Sequence, residues 1–190
     1  LRDFKATRFG MHAQVDEMNR DSYGLLGQEL EEGDVVLDIG ANVGIIAIAI
    51  ARRYPGARVI SVESDPTNFR YLLWNLRENN VTSFVWPINA GACPSNSNVT
   101  YTLWPTVKGT VDRSNVPCVS LAEIFALFKL QNVSLMKIDC EGCEFELLTT
   151  NIARILLRRV RRIAGEFHDA KRTVQNFKRP SRKQMAHTFR

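Results

Sequence analysis

The sequence predicts an α/β fold in which helices cover both faces of a mostly parallel sheet. Short β-branched runs such as Val35-Val36-Leu37-Asp38-Ile39 have the composition of strands buried on both faces. Segments with helical apolar spacing separate these runs, and alternating strands and helices favour parallel strands joined by right-handed crossovers. At 190 residues the chain is long enough for one domain with its own core.

In the first half of the chain, the pattern predicts three strands and two helices after a polar lead-in, residues 1–34. The lead-in has a helical pattern over residues 21–32 and ends at Gly33-Asp34. The predicted strands are residues 35–39, 58–63 and 83–88, and the predicted helices are residues 45–54 and 66–79. Pro66 suits the first position of its helix, and Asp65 before it suits the N-cap.

In the second half, a polar excursion precedes two more strands. Residues 91–116 are rich in Ser, Asn, Pro and Thr and are predicted to form a loop or hairpin. Ser120 and Glu123 have the spacing of a capping box. The predicted elements are a helix over residues 120–128, a strand over 134–139, a helix over 145–157 and a strand over 160–167. We place the domain at residues 35–170, followed by a basic tail, residues 171–190.

The net charge of +5 is unevenly distributed along the chain. Residues 151–190 contain 12 Lys/Arg against 2 Asp/Glu, whereas residues 1–150 contain 13 against 18. Such a basic end can attract nucleic acid or anionic lipid, but a solvated helix face and terminus explain it more simply. No apolar run approaches the about 20 residues of a membrane span, and no secretory leader is visible, so a cytoplasmic location is the favoured expectation.

The chain has four cysteines, which are too few for a disulfide scaffold at this length. Cys140-Glu141-Gly142-Cys143 has the CxxC spacing, but no second pair completes a zinc site. We therefore interpret these two cysteines as small residues near the end of a buried strand.

Three triplets have the N-x-S/T pattern of N-glycosylation acceptors, with Asn80, Asn98 and Asn132 as their first residues. They matter only in a secreted chain. Such short triplets also arise by chance, so they leave the compartment open.

Two glycines four residues apart lie in the stretch LDIGANVG, residues 37–44, directly after the first predicted strand. Side chains are excluded where a phosphate, a nucleoside or the protein itself passes close to the backbone. The turn has Ile45 in place of the third glycine of a dinucleotide fingerprint and carries no positive charge for a pyrophosphate. Glu63, at the end of the second predicted strand, can accept hydrogen bonds from both ribose hydroxyls. Ribose without phosphates favours S-adenosylmethionine over NAD, and a bare structural turn would not explain Glu63.

From residue 35 to His168, the chain resembles the FkbM family of S-adenosylmethionine-dependent methyltransferases. The resemblance is carried by LDIGANVG, VESDPTNFRYLLWNLRENN, LMKIDCEGCEFELL and GEFH, in the family's order and spacing. It implies the class I methyltransferase (Rossmann-like) fold and methylation of a hydroxyl oxygen, often on a sugar or natural product. The chain departs from the family where Ser64 replaces a proline and where Asn89 enters an alanine-rich position.

Seven residues at the ends of the first three predicted strands are the candidate cofactor-binding residues. They are Asp38, Gly40, Asn42, Gly44, Glu63, Asp65 and Asn89. Gly40 and Gly44 would let the backbone approach S-adenosylmethionine, and Asn42 would shape the turn. Asp38 either takes the amino group of the methionine moiety, directly or through water, or caps the turn. In the implied fold, Asn89 would lie near the adenine.

Methyl transfer to a hydroxyl needs in-line positioning and a base that removes the hydroxyl proton. The candidate catalytic residues are Asp139 and Glu141, at or after the end of the fourth predicted strand, and Glu166 and His168, at or after the end of the fifth. His168 is a natural base near neutral pH, although a surface histidine at a strand end is as simple an interpretation. These groups could alternatively bind a divalent cation, but we assign no metal. Lys137 is either a partner for a carboxylate or solvent-facing.

Two alternatives to an O-methyltransferase acting on a small molecule or glycan stay open. The basic tail motivates an RNA methyltransferase, but nucleic-acid sites usually combine charge with stacking aromatics, and only scattered Phe167, Phe177 and Phe189 are present. The second alternative is a non-catalytic module that keeps the cofactor site.

Overall fold

A computed structural model describes residues 20–21, 23–25, 27, 29–94, 99–102 and 113–167. In chain order its elements are β1 Val35–Ile39, α1 Ile45–Arg53, β2 Arg58–Glu63, α2 Pro66–Glu78, β3 Val85–Asn89, β4 Gly91–Ala92, β5 Val99–Thr102, β6 Arg113–Val116, β7 Cys118–Val119, α3 Leu121–Leu127, β8 Leu135–Ile138, α4 Glu144–Thr149, α5 Asn151–Leu157 and β9 Ile163–Gly165. His168 and the basic tail lie outside the described residues. None of the helices in the described ranges combines the length and the apolar composition that crossing a bilayer takes.

Five parallel strands form the central sheet in the order β3-β2-β1-β8-β9. The chain reaches β2 and β3 on one side of β1 and later returns to β8 and β9 on the other side. Parallel neighbours need crossover connections, which α1 supplies between β1 and β2 and α2 supplies between β2 and β3. The predicted α/β fold with a mostly parallel sheet is confirmed.

Two apolar layers cover the sheet, one on each face. Helices α1 and α2 contribute to the first layer, for example through Leu72. Helices α3, α4 and α5 contribute to the second, for example through Ile124 and Leu147. Along β1 the buried side chains alternate, with Val36 in the first layer and Leu37 in the second. Helices on both faces are therefore confirmed as well.

Three buried polar side chains interrupt the first layer at one level of the sheet. Asp38 of β1 pairs in register with Ser61 of β2 and with Lys137 of β8. Each of them lies two residues after an apolar residue of the α1–α2 layer, so strand alternation places all three on that face. The sheet thus holds charged groups in its interior, close to its carboxyl edge.

The predicted helix over residues 21–32 is wrong, because the described residues of that segment form turns and irregular chain. Asp21 has φ 47°, its Oδ1 accepts a hydrogen bond from Leu25 N at 2.6 Å, and its carbonyl accepts one from Gly24 N at 2.7 Å. Local bonds from a short polar side chain to the backbone compete with a helix. Leu25 is buried and joins the segment to the α1–α2 layer.

The predicted helix over residues 145–157 is in fact two helices, α4 and α5, which meet at Thr150. The backbone of Thr150 is extended, with ψ 151°, and its Oγ1 accepts a hydrogen bond from Ala153 N at 3.0 Å. The threonine therefore ends one helix and caps the next.

Two predicted helix starts are confirmed by their caps. At α2, Asp65 Oδ1 accepts hydrogen bonds from Thr67 N at 2.6 Å and Asn68 N at 2.9 Å. At α3, Ser120 and Glu123 form both hydrogen bonds of a capping box. These caps satisfy amides that the start of a helix leaves unpaired: the Asp65 carboxylate accepts two of them, and at α3 the Ser120 hydroxyl and the Glu123 carboxylate accept one each.

The excursion after β3 contains short strand pairs and a disulfide. β5 and β6 pair antiparallel, as a hairpin requires, and β4 pairs parallel with β7. A disulfide joins Cys93 to Cys118, with 5.9 Å between their Cα atoms. A second joins Cys140 to Cys143, with a Cα separation of 5.5 Å. Interpreting the CxxC cysteines only as small residues was therefore wrong.

Candidate functional site

The carboxyl ends of the parallel strands meet at one edge of the sheet, and most of the predicted site residues lie there. Gly40 follows β1, Glu63 ends β2, Asn89 ends β3 and Asp139 follows β8. β1 is the point where the strand order reverses. In open parallel sheets, ligands bind beyond the carboxyl ends at such a reversal. We therefore take this edge as the candidate active site.

The glycine turn, residues 40–44, is held against β2 through its backbone. Gly40 N and Ala41 N both donate to Val62 O at 2.9 Å. Gly40 has φ 77°, and a Cβ atom there would lie 1.7 Å from Asp139 O. Gly44 has φ 86°, and a Cβ atom there would lie 3.2 Å from Leu72 Cγ. At Gly40 the backbone of the protein itself therefore excludes a side chain, whereas at Gly44 the contact with Leu72 is tight and the positive φ disfavours a side chain. The predicted approach of the two glycines to a cofactor stays a prediction.

The Glu63 carboxylate joins the glycine turn to the start of α2. Its Oε2 accepts a hydrogen bond from Asn42 N at 2.7 Å, and its Oε1 accepts one from Asp65 N at 2.7 Å. The residue is 6% exposed. Burial raises the pKa of Glu63 from 4.5 to about 7, against the opposing effect of the two amides. Glu63 is therefore a proton-sensitive group at the centre of the edge.

Asp38 and Lys137 form a buried ion pair beneath the turn. Lys137 Nζ lies 3.5 Å from Asp38 Oδ1 and donates a hydrogen bond to Gly40 O at 2.7 Å. Asp38 is fully enclosed, and within the described ranges neither of its side-chain oxygens has a hydrogen-bond partner. Burial raises the pKa of Asp38, and the charge of Lys137 opposes this. Lys137 is thus a partner for a carboxylate, one of its two predicted roles, and Asp38 has no exposed surface for a ligand.

Asp139 is contacted from two sides, by Tyr23, to which the sequence assigned no role, and by Lys137. Tyr23 Oη donates a hydrogen bond to Asp139 Oδ2 at 2.9 Å. Lys137 Nζ lies 3.8 Å from the same oxygen and 5.8 Å from the centre of the Tyr23 ring. The side chain of Asp139 is 21% exposed. Tyr23 and Lys137 therefore fix a carboxylate that still reaches the surface.

The loop between β8 and α4 has a compact internal structure. The enclosed Glu144 carboxylate accepts hydrogen bonds from Cys140 N at 3.0 Å and from Gly142 N at 3.0 Å. Glu141, between them, has φ 56° and is exposed. The Cys140–Cys143 disulfide closes the same loop.

The remaining predicted site residues are Asn89, Asp65, Glu166 and His168, and they do not share one environment. Asn89 is half-buried, and its Nδ2 donates to Glu63 O at 2.8 Å. Asp65 caps α2, and Glu166 is exposed after β9. His168 lies outside the described residues, so its predicted role as a base stays a prediction. Over the ranges that are described, no group of three or more His, Cys, Asp or Glu side chains is arranged to hold a metal ion.

Sequence reasoning missed Tyr23 and Glu144 and left Lys137 undecided. A signal for Lys137 was present, since a lysine inside the apolar run Leu135-Met136-Lys137-Ile138 must find a buried partner. Tyr23 carries no comparable signal, because its partner is 116 residues away in sequence.

Comparison with known proteins identifies the family. A family model described as Methyltransferase FkbM domain matches residues 38–187. Methyltransferase sdnD of Sordaria araneosa is 23% identical over 157 residues, covering 63% of this chain and 61% of the relative. Hexuronic acid methyltransferase AglP of Haloferax volcanii is 27% identical over 135 residues, covering 68% of this chain and 54% of the relative. The chain thus spans less than two thirds of the length of these relatives.

A solved structure agrees with the fold. The FkbM methyltransferase of Methylobacillus flagellatus KT superposes with a TM-score of 0.50 at 20% identity, covering 68% of this chain and 31% of that chain. The class I methyltransferase (Rossmann-like) fold that the resemblance implied is confirmed. With a family model that matches most of its length, this chain belongs to the FkbM methyltransferase family.

Proposed function

We propose that this chain is an S-adenosylmethionine-dependent O-methyltransferase that acts on a hydroxyl group of a small molecule or glycan. The observation that carries the proposal is the Glu63 carboxylate, which lies beside the glycine turn at the carboxyl edge, where ligands of open parallel sheets bind. Family membership supports a methyl donor. The name of one relative, a hexuronic acid methyltransferase, supports a sugar-like acceptor.

The residues at this edge fit the ribose of S-adenosylmethionine. Each Glu63 oxygen accepts one backbone amide, and a carboxylate oxygen can accept a further hydrogen bond, so a ribose hydroxyl can be added at each. When bound, S-adenosylmethionine supplies an electrophilic methyl group on a positively charged sulfur. Asn89, whose side-chain amide donates to Glu63 O, is our candidate for contact with the adenine. Asp38 is enclosed, so we assign it to support of the turn through Lys137.

Transfer requires the acceptor hydroxyl to lose its proton as the new carbon–oxygen bond forms and the carbon–sulfur bond breaks. Asp139 is our first candidate for the proton acceptor, because its carboxylate is both partly exposed and fixed by Tyr23. Glu141, Glu166 and His168 are the other candidates. The remaining contribution of the chain is to align the hydroxyl with the methyl group and exclude water.

Binding analogues test the ribose assignment without altering the protein. At a pH well above 7, where Glu63 with its pKa of about 7 is ionised, loss of one ribose hydroxyl from S-adenosylhomocysteine should weaken binding about 30-fold, because a hydrogen bond to a charged group contributes about 2 kcal/mol. In Glu63→Gln, the same deletion should cost much less, since the ionised partner is gone. Calorimetric titration of wild type and of Glu63→Gln, each with S-adenosylhomocysteine and with its deoxy analogue, measures how much of the loss in affinity depends on Glu63.

The control variant is Glu78→Gln, which removes an exposed carboxylate from the end of α2 and keeps an oxygen for the Trp74 indole. It should show the wild-type loss for the deoxy analogue. An equal loss in wild type and Glu63→Gln would refute the ribose assignment. Tighter binding of NAD than of S-adenosylhomocysteine would refute the proposed cofactor.

A further inference from the structure

The cysteine pairing indicates the kind of compartment in which this chain folds. The chain has four cysteines, and all of them are paired, Cys93 with Cys118 and Cys140 with Cys143. Their Cα separations of 5.9 and 5.5 Å are ordinary for disulfides. Disulfides form and persist in oxidising compartments and are rare in the reducing cytosol.

The Cys93–Cys118 pair has a structural position. It lies where β4 pairs with β7, next to a hydrogen bond from Cys93 N to Val119 O at 3.1 Å, and Cys93 is 3% exposed. The two cysteines are 25 residues apart, so the bond closes the loop that carries the β5–β6 hairpin. Cys118 is half-buried, so the bridge is mostly enclosed. A mostly enclosed bridge that joins two strands is unsuited to a catalytic redox cycle, which needs an accessible thiolate.

Two of the three N-x-S/T triplets have a geometry suited to glycosylation. Asn80 is an exposed turn residue after α2, and Asn132 is exposed in the connection from α3 to β8. The middle residues, Val81 and Val133, are 3% and 1% exposed. Each triplet therefore anchors its valine in the core while the asparagine side chain is at the surface. The third asparagine, Asn98, lies outside the described residues.

The position of these asparagines relative to the candidate site is also favourable. Asn80 precedes β3 and Asn132 precedes β8, so both lie near the amino ends of parallel strands. The candidate site lies at the carboxyl ends. A bulky glycan on either asparagine would therefore leave the site open.

We propose that Asn80 and Asn132 are N-glycosylated and that the chain folds in an oxidising secretory compartment, in contrast to the cytoplasmic location that the sequence favoured. In each transfer, the bond between the anomeric carbon and the pyrophosphate oxygen of a lipid-linked oligosaccharide breaks. The anomeric carbon bonds to asparagine Nδ2, the amide gives up a proton, and the lipid pyrophosphate leaves with the electron pair. Each disulfide forms as two thiols pass two electrons and two protons to a protein disulfide, which becomes a dithiol.

The test uses the native protein from its source cells. Free thiols are alkylated under denaturing, non-reducing conditions, and the protein is then treated with a peptide-N-glycosidase in heavy-oxygen water. Peptide mass spectrometry should find aspartate with one heavy oxygen at positions 80 and 132, and no alkylated cysteine. Unmodified asparagine at both positions would overturn the glycosylation proposal. Alkylated cysteines would overturn the proposal that the chain folds in an oxidising compartment.

Matched variants of the chain, expressed in the same cells, assign each site. Thr82→Ala destroys the first acceptor triplet and Thr82→Ser keeps it, so only the alanine variant should lose one glycan in gel mobility. Asn132→Gln should lose one glycan, whereas Ser134→Thr keeps the triplet and a hydroxyl for the hydrogen bond to Asp34. A mobility that is equal within each pair would overturn that site.

Discussion

Two loops meet at the carboxyl edge of the sheet, and they are held in different ways. The glycine turn, residues 40–44, is held by groups outside itself. These are the backbone of β2 and the carboxylate of Glu63, the last residue of β2. In the β8–α4 loop, residues 139–144, the part from Cys140 to Glu144 is fixed by its own groups, namely a disulfide and the carboxylate of Glu144. Asp139, at the start of the loop, is held by Tyr23 and Lys137. Lys137 of β8 also donates a hydrogen bond to Gly40 O. The turn is therefore sensitive to changes in β2 and β8, whereas the loop from Cys140 onward is largely self-contained.

The comparison also distinguishes two carboxylates that each accept hydrogen bonds from two backbone amides. Glu144 is 0% exposed, while Glu63 keeps 6% of its surface and a pKa raised to about 7. A ligand at this edge can reach only the second. One carboxylate serves the structure of a loop, and the other serves both the structure and a potential ligand.

The largest effect should come from the point where the two loops touch. In Gly40→Ala, the new Cβ would lie 1.7 Å from Asp139 O in a backbone with φ 77°. The neighbour is backbone and cannot rotate away, so we expect a loss of about 5 kcal/mol or more, comparable to the whole stability of a small domain. Urea unfolding, or the yield of folded protein if the loss is complete, measures this.

Gly33→Ala is the matched control for that substitution. Gly33 has φ 86°, but a Cβ atom there meets nothing within 4 Å. It should therefore show the cost of the backbone conformation alone, about 1 kcal/mol. Equal losses in the two variants would mean that the loops do not press on each other at Gly40.

The second effect concerns the charge beneath the turn. Lys137→Met leaves the enclosed Asp38 without its cation and frees the carbonyl of Gly40. Removing one partner of a buried ion pair costs about 4 kcal/mol. The loss should shrink as the pH falls, because Asp38 has a raised pKa and can become neutral by taking up a proton.

Lys129→Met is the control for Lys137→Met, since Lys129 is exposed. It should change the free energy of unfolding by less than about 0.5 kcal/mol at any pH. Adding Asp38→Asn to Lys137→Met should restore much of the stability, because no unpaired charge is then buried. If the double variant is no more stable than Lys137→Met, the unpaired charge of Asp38 is not the cause of the lost stability.

The same distinction between local and distant contacts explains which features could be predicted from the sequence alone. The strands, the sheet type and the caps at Asp65 and Ser120 follow from local patterns that tertiary packing does not override. Turn geometry at Asp21 and the extended Thr150 could not be predicted, because each depends on one side-chain hydrogen bond that competes with a helix. Within the site, the acid at the end of β2 could be located. The contact of Tyr23 with Asp139 is too distant in sequence to leave a pattern.

The third effect follows from the titration of Glu63. Its pKa rises from 4.5 to about 7 on folding, so the folded state binds the proton more strongly than the unfolded state does. The stability that it contributes is therefore complete below pH 4.5 and is lost as the pH rises through about 7, a change of about 3 kcal/mol. The difference in unfolding free energy between wild type and Glu63→Gln, measured across this range, should show that slope. A difference independent of pH would mean that folding does not raise the pKa of Glu63.

The smallest effect concerns Asp139, the partly exposed residue at the start of the β8–α4 loop. Tyr23→Phe removes the hydroxyl that donates to Asp139 Oδ2 at 2.9 Å, and it should cost about 1 kcal/mol of stability. If Asp139 accepts the substrate proton, the variant should also lower kcat and shift its pH profile while KM for S-adenosylmethionine stays nearly constant, because the Glu63 contacts are untouched. Tyr71→Phe, on α2 in the same apolar layer, is the control and should leave the pH profile unchanged. A Tyr23→Phe variant with a normal pH profile would limit Tyr23 to a packing role and remove the main reason for ranking Asp139 above Glu141 as the base.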